Sequence, residues 1–466
     1  MLLQNASQAK QLTKELYQTI SKYALTYSYN HLGVSYVGKQ DYEKAIPYFK
    51  QFLDINLEVF GQQHLSVAVA CGSLAGCYKS LSQFKEALQY WHQSYFVGED
   101  NIHVFCIGRQ SFKVKSVEKP TDFERLIKRF GGSIKTLHKK RYLQTAYQLY
   151  QLLLQSFIEE IPKTANIPLL TIIPHDLLTT LPFEALLCSQ AKNVLESYCN
   201  FDYLVKHFHI NYHYSATLWW SVLQASKKTV SSTPNFVGFA PVYSSIHAQR
   251  NTIEGLQEST DFSKETTAIR SVTVRGQEFE ELKFSEAEVT GIQSTFTKKG
   301  LNAETFLHEN ATKVQFIEAA KYKKYILIAA HGIYDVLHPE LSGIVFSPQK
   351  ESSSDTAILY TSDAYQLQLN ADLVVLSSCE SGIGTLEVGE GMMAINRGFL
   401  YAGAKNVIFT LFKIYDKQSS QLTQLLFEAI LEEKNYAQAL RWAKLQLIEQ
   451  KDIDPSAWTG FVLIGV

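Results

Sequence analysis

The sequence predicts an α/β region with a mostly parallel sheet flanked by helices, preceded by an all-α segment of helical repeats. Two observations predict this division. Residues 1–97 carry a repeated helical-hairpin pattern, whereas short, wholly apolar runs separated by amphipathic stretches recur beyond residue 145. Such runs are typical of parallel strands that are buried on both faces. With 466 residues, of which 46% are apolar, the chain is long enough for several packed domains.

The first segment, residues 1–97, contains an internal repeat. Four positions recur at an offset of 42 residues, so that Leu32, Tyr36, Ala45 and Phe49 match Leu74, Tyr78, Ala87 and Trp91. Small residues at such positions let two helices approach closely while aromatic residues fill the contact, and this pattern resembles tetratricopeptide repeats. Repeats of this kind form a concave surface that docks a protein partner. Because two repeats are few, a purely structural cap on the following domain is the alternative.

The connecting region, residues 98–145, is predicted to hold a strand pair and a basic helix. The strands are expected at Ile102–Cys106 and Phe112–Val117, and the helix is expected to break at Gly131 and Gly132. The helix and its neighbourhood are the most basic stretch of the chain. A solvated helix face is favoured over a nucleic-acid contact, because neither a stacking platform nor a phosphate-binding loop accompanies the basic residues.

Residues 146–282 are predicted to form one half of the α/β region, with a long loop at 241–282. A buried strand is expected at Leu169–Ile173, and within the loop only Val272–Val274 suggests a strand. An inert loop is favoured over a regulatory or self-cleaved segment, for which the candidate cut points are Arg250, Arg270 and Arg275. Three nearly alternating histidines are interpreted as polar strand positions and not as metal ligands, because no fourth ligand lies nearby: His207, His209 and His213.

Residues 283–466 contain two apolar runs that each end beside a reactive side chain. Tyr325–Ala330 leads into His331 and Gly332, and Leu373–Leu376 leads to Cys379, 48 residues beyond His331. Chemistry in open α/β sheets collects at the carboxyl ends of the strands, so we expect His331 and Cys379 to lie together. An imidazole beside a thiol takes its proton and leaves a nucleophilic thiolate.

The expected oxyanion donors are the backbone N–H groups of Gly332 and Cys379. Taken singly, a cysteine after a strand is more often inert packing, and a histidine there is more often a turn residue. The conjunction of two such strands favours a catalytic dyad. The order, with the histidine about 50 residues before the cysteine, is also that of caspases.

Several sequence blocks, in order, resemble the CHAT domain, the caspase-like domain associated with tetratricopeptide repeats. The blocks are Leu181–Leu186, Tyr214–Leu218, Ala329–Asp335, Leu341–Gly343, Val375–Gly382, Gly389–Gly391, Phe399–Ala404 and Trp458–Gly465. The resemblance implies a caspase-like fold with a non-catalytic half (146–282) and a catalytic half (283–466). It further implies a cysteine peptidase related to caspases and separase, with Cys379 as nucleophile and His331 as base. The sequence Ser-Ser-Cys-Glu-Ser replaces the caspase signature, so specificity for aspartate is not implied.

Three acidic residues lie close in sequence to the dyad and are candidate substrate-binding residues: Asp335, Glu380 and Glu390. They would line a pocket for a basic residue before the scissile bond. Each equally suits a helix cap or a hydrogen bond that holds His331. The proposed chemistry needs no cofactor and no metal.

Composition predicts the compartment and excludes some partner classes. With 44 Lys and Arg residues against 45 Asp and Glu residues, the net charge is −1, so no global field would recruit nucleic acid or a membrane surface. No apolar run reaches the length of a membrane span or a signal peptide, and the six scattered cysteines suit a reducing cytoplasm.

The sequence therefore predicts a cytoplasmic caspase-like cysteine endopeptidase that acts on a protein substrate. A protein partner is expected to dock on the repeats or to regulate the enzyme through them. The resemblance suggests a bacterial source and a role in programmed proteolysis or phage defence. The alternatives are a catalytically silent scaffold that recruits partners, and an acyl-transfer enzyme that acts on a non-peptide substrate.

Overall fold

The computed structural model describes most of the chain beyond residue 27 in separate ranges. These are 26, 28–60, 69–70, 73–74, 77, 96–97, 100–107, 112–158, 167–174, 176–214, 235–241, 271–274, 277–280, 282–333, 341–348, 357–377, 390–412, 414–450 and 453–465. The chain divides into two compact units. The first comprises Met1–Lys119 with His213–Ala225, and the second comprises Pro120–Tyr212 with Ser226–Val466.

The first unit contains a helical hairpin built on the predicted repeat pattern. A helical segment at 28–38 is followed by helix α1 (Tyr42–Phe60). A Cβ added to Gly33 would lie 2.5 Å from Cε1 of Phe49, so the small residue is what lets the two helices approach. Ala45 and Phe49 are buried in the same apolar cluster. Tyr78, Ala87 and Trp91 of the second predicted repeat lie outside the described residues.

The first unit also contains a three-stranded antiparallel sheet. Its strands are β1 (Phe96–Val97), β2 (Asn101–Ile107) and β3 (Phe112–Glu118). Strands β2 and β3 are paired along their full length, from Asn101 with Glu118 to Ile107 with Phe112. The strand pair expected in the connecting region is therefore present.

The second unit alternates strands and helices. In chain order the elements are α2 (Phe123–Lys135), α3 (Lys139–Leu153), α4 (Gln155–Ile158), β4 (Leu169–Ile172), β5 (His209–Tyr212), β6 (Asn235–Ala240), β7 (Ser271–Val274), β8 (Gln277–Glu280), α5 (Ser285–Lys298), β9 (Asn302–Leu307), α6 (Lys313–Ala319), β10 (Tyr325–Ile328), β11 (Gly332–Ile333), β12 (Gly343–Val345), β13 (Ile358–Tyr360), α7 (Thr361–Gln366), β14 (Leu373–Leu376), α8 (Glu390–Tyr401), β15 (Val407–Thr410), α9 (Asp416–Leu431), α10 (Tyr436–Ile448) and β16 (Phe461–Ile464).

Eight of these strands form one sheet in the order β4-β5-β16-β15-β14-β10-β6-β9. Every neighbouring pair is parallel except β15 and β16, which are antiparallel. All residues of β10, β14, β15 and β16 are buried, which explains their continuous apolar sequences. The predicted fold class, an α/β caspase-like unit after helical repeats, is confirmed.

Aromatic side chains fill the space between the sheet and helices α5 and α9. Phe236 of β6 stacks on Phe296 of α5 at a centroid distance of 5.2 Å, and Phe427 of α9 meets Phe236 edge-on at 5.5 Å. Tyr325, the first residue of β10, meets Phe296 at 5.7 Å. This cluster therefore holds the strand that precedes His331 against two helices.

The block Leu181–Leu186 has a structural role. Glu184 is buried and accepts hydrogen bonds from Lys444 Nζ on α10, at 2.9 Å, and from the hydroxyl of Tyr212 on β5. The same hydroxyl accepts the Phe183 N–H at 2.9 Å. A buried carboxylate needs such partners, and here they connect the block to a strand and to a distant helix.

The structure differs from the sequence predictions at several places. Helix α2 runs through Gly131 and Gly132, because the apolar residues on both sides of them, Ile127, Phe130 and Ile134, keep helical spacing and are buried. That burial offsets the cost of about 1 kcal/mol for each glycine. The two compact units separate at Lys119, within the stretch 98–145.

Other differences concern strands. Gln277–Glu280 pairs antiparallel with Ser271–Val274, so part of the predicted loop 241–282 is a hairpin. Strand β6 was not predicted, and it lies between β10 and β9, although its sequence position places it in the predicted non-catalytic half. Among the described residues no helix is both long and apolar enough to span a membrane.

Candidate active site

The predicted reactive residues follow two strands that are direct neighbours in the sheet. Strands β10 and β14 are parallel, and their four pairs run from Tyr325 with Leu373 to Ile328 with Leu376. Each pair joins residues 48 positions apart, and the same offset relates His331 to Cys379. Both residues therefore come three positions after the last strand pair. Cys379 itself lies outside the described residues.

The pairing continues beyond the ends of both strands. The N–H of Ser377 donates to the carbonyl of Ile328 at 3.2 Å, which extends the ladder one residue past β14. On the other side of β10, the N–H of Ala329 donates to the carbonyl of Phe239 in β6 at 2.9 Å. The backbone register is thus held up to two residues before His331 and two residues before Cys379.

His331 lies where the chain leaves the large sheet for a small one. Strands β11, β12 and β13 form an antiparallel sheet, and β11 begins immediately after His331. The His331 carbonyl accepts the N–H of Val345 in β12 at 2.9 Å, and the residue is fully buried. The backbone here is therefore held by two hydrogen bonds, one from the Ala329 N–H to the large sheet and one to the His331 carbonyl from the small sheet.

Gly332 presents a backbone N–H that the small sheet does not use. Gly332 is paired with Ile344, and the flanking bond from Val345 to His331 identifies this as a non-hydrogen-bonded pair of an antiparallel ladder. In such a pair the N–H points away from the partner strand. The N–H of Gly332 is therefore directed away from β12, as a donor to a substrate would be.

Close backbone packing between β12 and β13 supports the position of β11. Gly343 in β12 sits so near β13 that an added Cβ would lie 2.6 Å from the carbonyl oxygen of Leu359. The small sheet therefore needs glycine at this position in order to hold β11.

A buried carboxyl group, Glu288 of α5, lies beneath the end of β14. Thr423 Oγ1 of α9 donates to its Oε1 at 2.7 Å, and the Ser377 hydroxyl faces the same carboxyl group. Burial raises the pKa of Glu288 to about 7, although both hydroxyls lower it, and the charge of Asp416 raises it further. A protonatable group therefore lies near Ser377, two positions before Cys379.

Sequence reasoning missed Glu288. The available signal is its place on the helix, because Ser285, Val289, Ile292 and Phe296 share its spacing and are all buried. A carboxylate on a buried stripe is a candidate for a perturbed pKa.

The three acidic candidates are not brought to the site by the described residues. Asp335 and Glu380 lie outside those residues, as Cys379 does. Glu390 is the first residue of α8, and its side chain is outside the described set. The described part of the candidate site thus comprises His331, Gly332 and the backbone of β14 up to Ser377.

Comparison with known families identifies the α/β unit. Residues 143–466 match the family model of the CHAT domain, a span of more than half of the chain. The chain belongs to the CHAT domain family. Residues 24–95 match a tetratricopeptide repeat model, in agreement with the repeat pattern and with the helical hairpin around Gly33.

Curated relatives match a smaller part of the chain. Tetratricopeptide repeat protein 28 of Mus musculus and that of Homo sapiens are each 31% identical over 109 residues. The matched segment is 23% of this chain and spans 4% of the length of each relative. The activity and partners of those long proteins are therefore not transferred.

Two solved structures are distantly similar to this chain. The Arg-specific cysteine proteinase gingipain R has a TM-score of 0.36 at 10% identity, covering 74% of each chain. The Saccharomyces cerevisiae separase–securin complex has a TM-score of 0.36 at 12% identity, covering 98% of this chain and 27% of that one. At such scores the likeness carries no inference about chemistry.

Proposed function

We propose that this CHAT domain is a cysteine endopeptidase with Cys379 as nucleophile and His331 as general base. The observation that carries the proposal is the shared register of β10 and β14. Neighbouring strands are about 4.8 Å apart, so the segments that carry the two residues leave the sheet from adjacent points at the same edge. The match to the CHAT domain family covers the stretch that contains both residues.

The proposed reaction proceeds by acyl transfer. His331 takes the thiol proton, and the Cys379 thiolate attacks the carbonyl carbon of the scissile peptide bond. The N–H groups of Gly332 and Cys379 stabilise the oxyanion, and His331 returns its proton to the leaving amine. A water molecule, deprotonated by His331, then hydrolyses the thioester and releases the free thiol and the carboxylic acid product.

The complete burial of His331 supports an enzyme whose site opens on activation. A base without solvent exposure cannot reach a substrate until its cover moves. We propose that the partner that opens the site, or the substrate itself, docks on the tetratricopeptide repeats. The same burial also favours the second candidate, a silent scaffold, because a closed site suits a protein that only recruits others.

The same proposal includes the substrate pocket, the compartment and the biological role. We assign Asp335, Glu380 and Glu390 to a pocket for a basic residue before the scissile bond. We place the protein in a reducing cytoplasm, which the free thiols of Cys77, Cys188 and Cys199 support. A bacterial source and a role in programmed proteolysis or phage defence follow the habit of the family.

The test is trapping with peptidyl acyloxymethyl ketones that carry Arg, Lys, Leu or Asp at the reactive position. The full chain, Cys379→Ala, His331→Ala and the control Cys199→Ser are compared, and mass spectrometry locates each adduct. The proposal predicts labelling at Cys379 by an Arg or Lys probe in the full chain and in the control. It predicts no adduct in Cys379→Ala and labelling at least about 100-fold slower in His331→Ala.

Two results would decide against parts of the proposal. Labelling of Cys379 by the Leu or Asp probe alone would retain the peptidase and overturn the basic pocket. Silence of Cys379 toward every probe, both alone and with candidate partners added, would favour the scaffold.

A further inference from the structure

A second cluster of reactive side chains lies in the turn-rich segment that leads into β5. Cys188, Asp202 and His207 each place one ligand atom within 4.8 Å of the other two. None of the three belongs to the proposed peptidase site. Asp202 and His207 are partly exposed, and Cys188 is half-buried.

The local backbone holds Cys188 and Asp202 side by side. Leu187 and Tyr203 form an antiparallel bridge, the Cys188 N–H donates to the Asp202 carbonyl at 2.8 Å, and the Leu204 N–H donates to the Leu186 carbonyl at 2.8 Å. Leu186, Leu187, Tyr203 and Leu204 have no exposed surface. The two ligand residues are therefore mounted on a buried, hydrogen-bonded frame.

His207 is brought to the same point by a short helical turn. Residues Leu204–Lys206 form one 3₁₀ turn, and the His207 N–H closes it on the Leu204 carbonyl at 3.0 Å. The ring Nε2 then lies 2.6 Å from Asp202 Oδ1. The nearby ammonium group of Lys206 donates to the Cys199 carbonyl at 2.7 Å.

We propose that Cys188, Asp202 and His207 bind one Zn²⁺ ion, with a fourth ligand supplied by solvent. A thiolate, an imidazole and a carboxylate are the ligand types that zinc prefers, and three protein ligands with one open position form a recognised zinc arrangement. In tetrahedral zinc the His207 nitrogen and the Asp202 oxygen would be about 3.3 Å apart, so their present hydrogen bond widens by less than an ångström. With the thiolate and the carboxylate each carrying one negative charge, the occupied site is neutral.

The alternative use of these residues, a Cys-His-Asp nucleophilic triad, fits poorly. Burial and the charge of Asp202 raise the pKa of Cys188 to about 12, although the Tyr150 hydroxyl lowers it. A nucleophilic cysteine needs the opposite shift. A divalent cation reverses this electrostatic balance by binding the thiolate directly, and the Tyr150 hydroxyl would then be an outer hydrogen bond to the ligating sulfur.

Sequence reasoning considered His207 as a ligand only together with His209 and His213. The structure separates these residues by role. His209 begins β5, where burial and then the charge of Arg441 lower the pKa of this histidine to about 4. The partners of His207 come instead from positions 188 and 202, which the antiparallel bridge brings together.

The test is metal binding by the full chain after treatment with a chelator, followed by dialysis. Co²⁺ serves as the spectroscopic probe, because a cobalt–thiolate bond gives a near-ultraviolet charge-transfer band, and Zn²⁺ is then added to displace it. The variants are Cys188→Ser, His207→Gln and Asp202→Asn, and the controls are Cys199→Ser and His209→Gln. Circular dichroism establishes which variants fold, and the three ligand variants give independent readings.

The proposal predicts one equivalent of Co²⁺ with the thiolate band, displaced by one equivalent of Zn²⁺. The band disappears in Cys188→Ser, affinity falls at least about tenfold in His207→Gln and Asp202→Asn, and both controls behave as the full chain does. Binding releases the Cys188 proton, so affinity falls about tenfold for each unit by which the pH is lowered. Zinc also raises the melting temperature of the full chain but not that of Cys188→Ser.

Three results would overturn the proposal. One is the absence of a thiolate band at a tenfold excess of Co²⁺. Another is an unchanged band in folded Cys188→Ser, which would place the metal elsewhere. The third is loss of the band in Cys199→Ser together with its retention in Cys188→Ser.

Discussion

The buried carboxyl group of Glu288 gives the stability of the second unit a defined pH dependence. Its ordinary pKa is 4.5, and the folded chain raises this pKa to about 7. Between these values the folded chain keeps a proton that the unfolded chain has released. The associated stability is therefore fully present below about pH 4.5 and is lost as the pH rises through about 7.

The size of the stability loss follows from the shift in the pKa of Glu288. Each pKa unit corresponds to about 1.36 kcal/mol, so the complete loss is about 3 kcal/mol, of which about 2 kcal/mol falls between pH 5 and pH 7.5. The substitution Glu288→Gln keeps the shape and the acceptor for Thr423 but removes the titration. The contributions of other titrating groups to the free energy of unfolding cancel when the variant and the parent chain are compared at the same pH.

The assay is urea unfolding of the full chain and of Glu288→Gln at pH 5, 6 and 7.5. We expect the variant to gain about 2 kcal/mol over the parent chain between the lowest and the highest pH. The control Glu318→Gln alters an exposed residue of helix α6 and is expected to show no such trend. A difference between Glu288→Gln and the parent chain that is the same at all three pH values would refute the reasoning.

Two other substitutions test the packing of the second unit. Lys444→Met leaves the carboxylate of Glu184 buried without its cation and is expected to cost about 3–5 kcal/mol in urea unfolding, part of which Glu184→Gln restores in the double variant. The control is Lys434→Met, which removes a partly exposed ion pair with Glu432, and an equal effect of the two substitutions would contradict the argument. Gly343→Ala forces a Cβ against the Leu359 carbonyl and is expected to lower the free energy of unfolding by about 1–3 kcal/mol and to slow the labelling of Cys379. Unchanged stability and labelling would show that β12 does not hold β11.

The sequence predicted the strands best where burial on both faces requires apolar residues throughout. Strands β10 and β14 are buried on both faces, so their apolar runs predicted both strands correctly. The residues that follow them are the basis of the proposed dyad. The register between the two strands needed the structure, because nothing in an apolar run says which residue of a neighbouring run it pairs with. Likewise, the sequence showed a strand near the chain end but not that β16 lies inside the sheet.

Other features depend on contacts between distant positions. Propensity predicted a break at Gly131 and Gly132, but the burial of Phe130 and Ile134 outweighs it. Strand β8, with its sequence Gln-Glu-Phe-Glu, lacks the composition of a strand and forms through pairing with β7. The cluster of Cys188, Asp202 and His207 has no compact sequence motif, because a backbone bridge and a short turn create it.

The most direct test of the dyad is the rate at which iodoacetamide alkylates Cys379, measured by peptide mass spectrometry from about pH 5 to pH 9.5. The full chain is compared with His331→Gln. If His331 and Cys379 form a pair, the full chain reacts with a midpoint well below the ordinary thiol pKa of about 8.5, and His331→Gln moves the midpoint to about 8.5. Identical rate profiles for the two proteins would contradict the dyad.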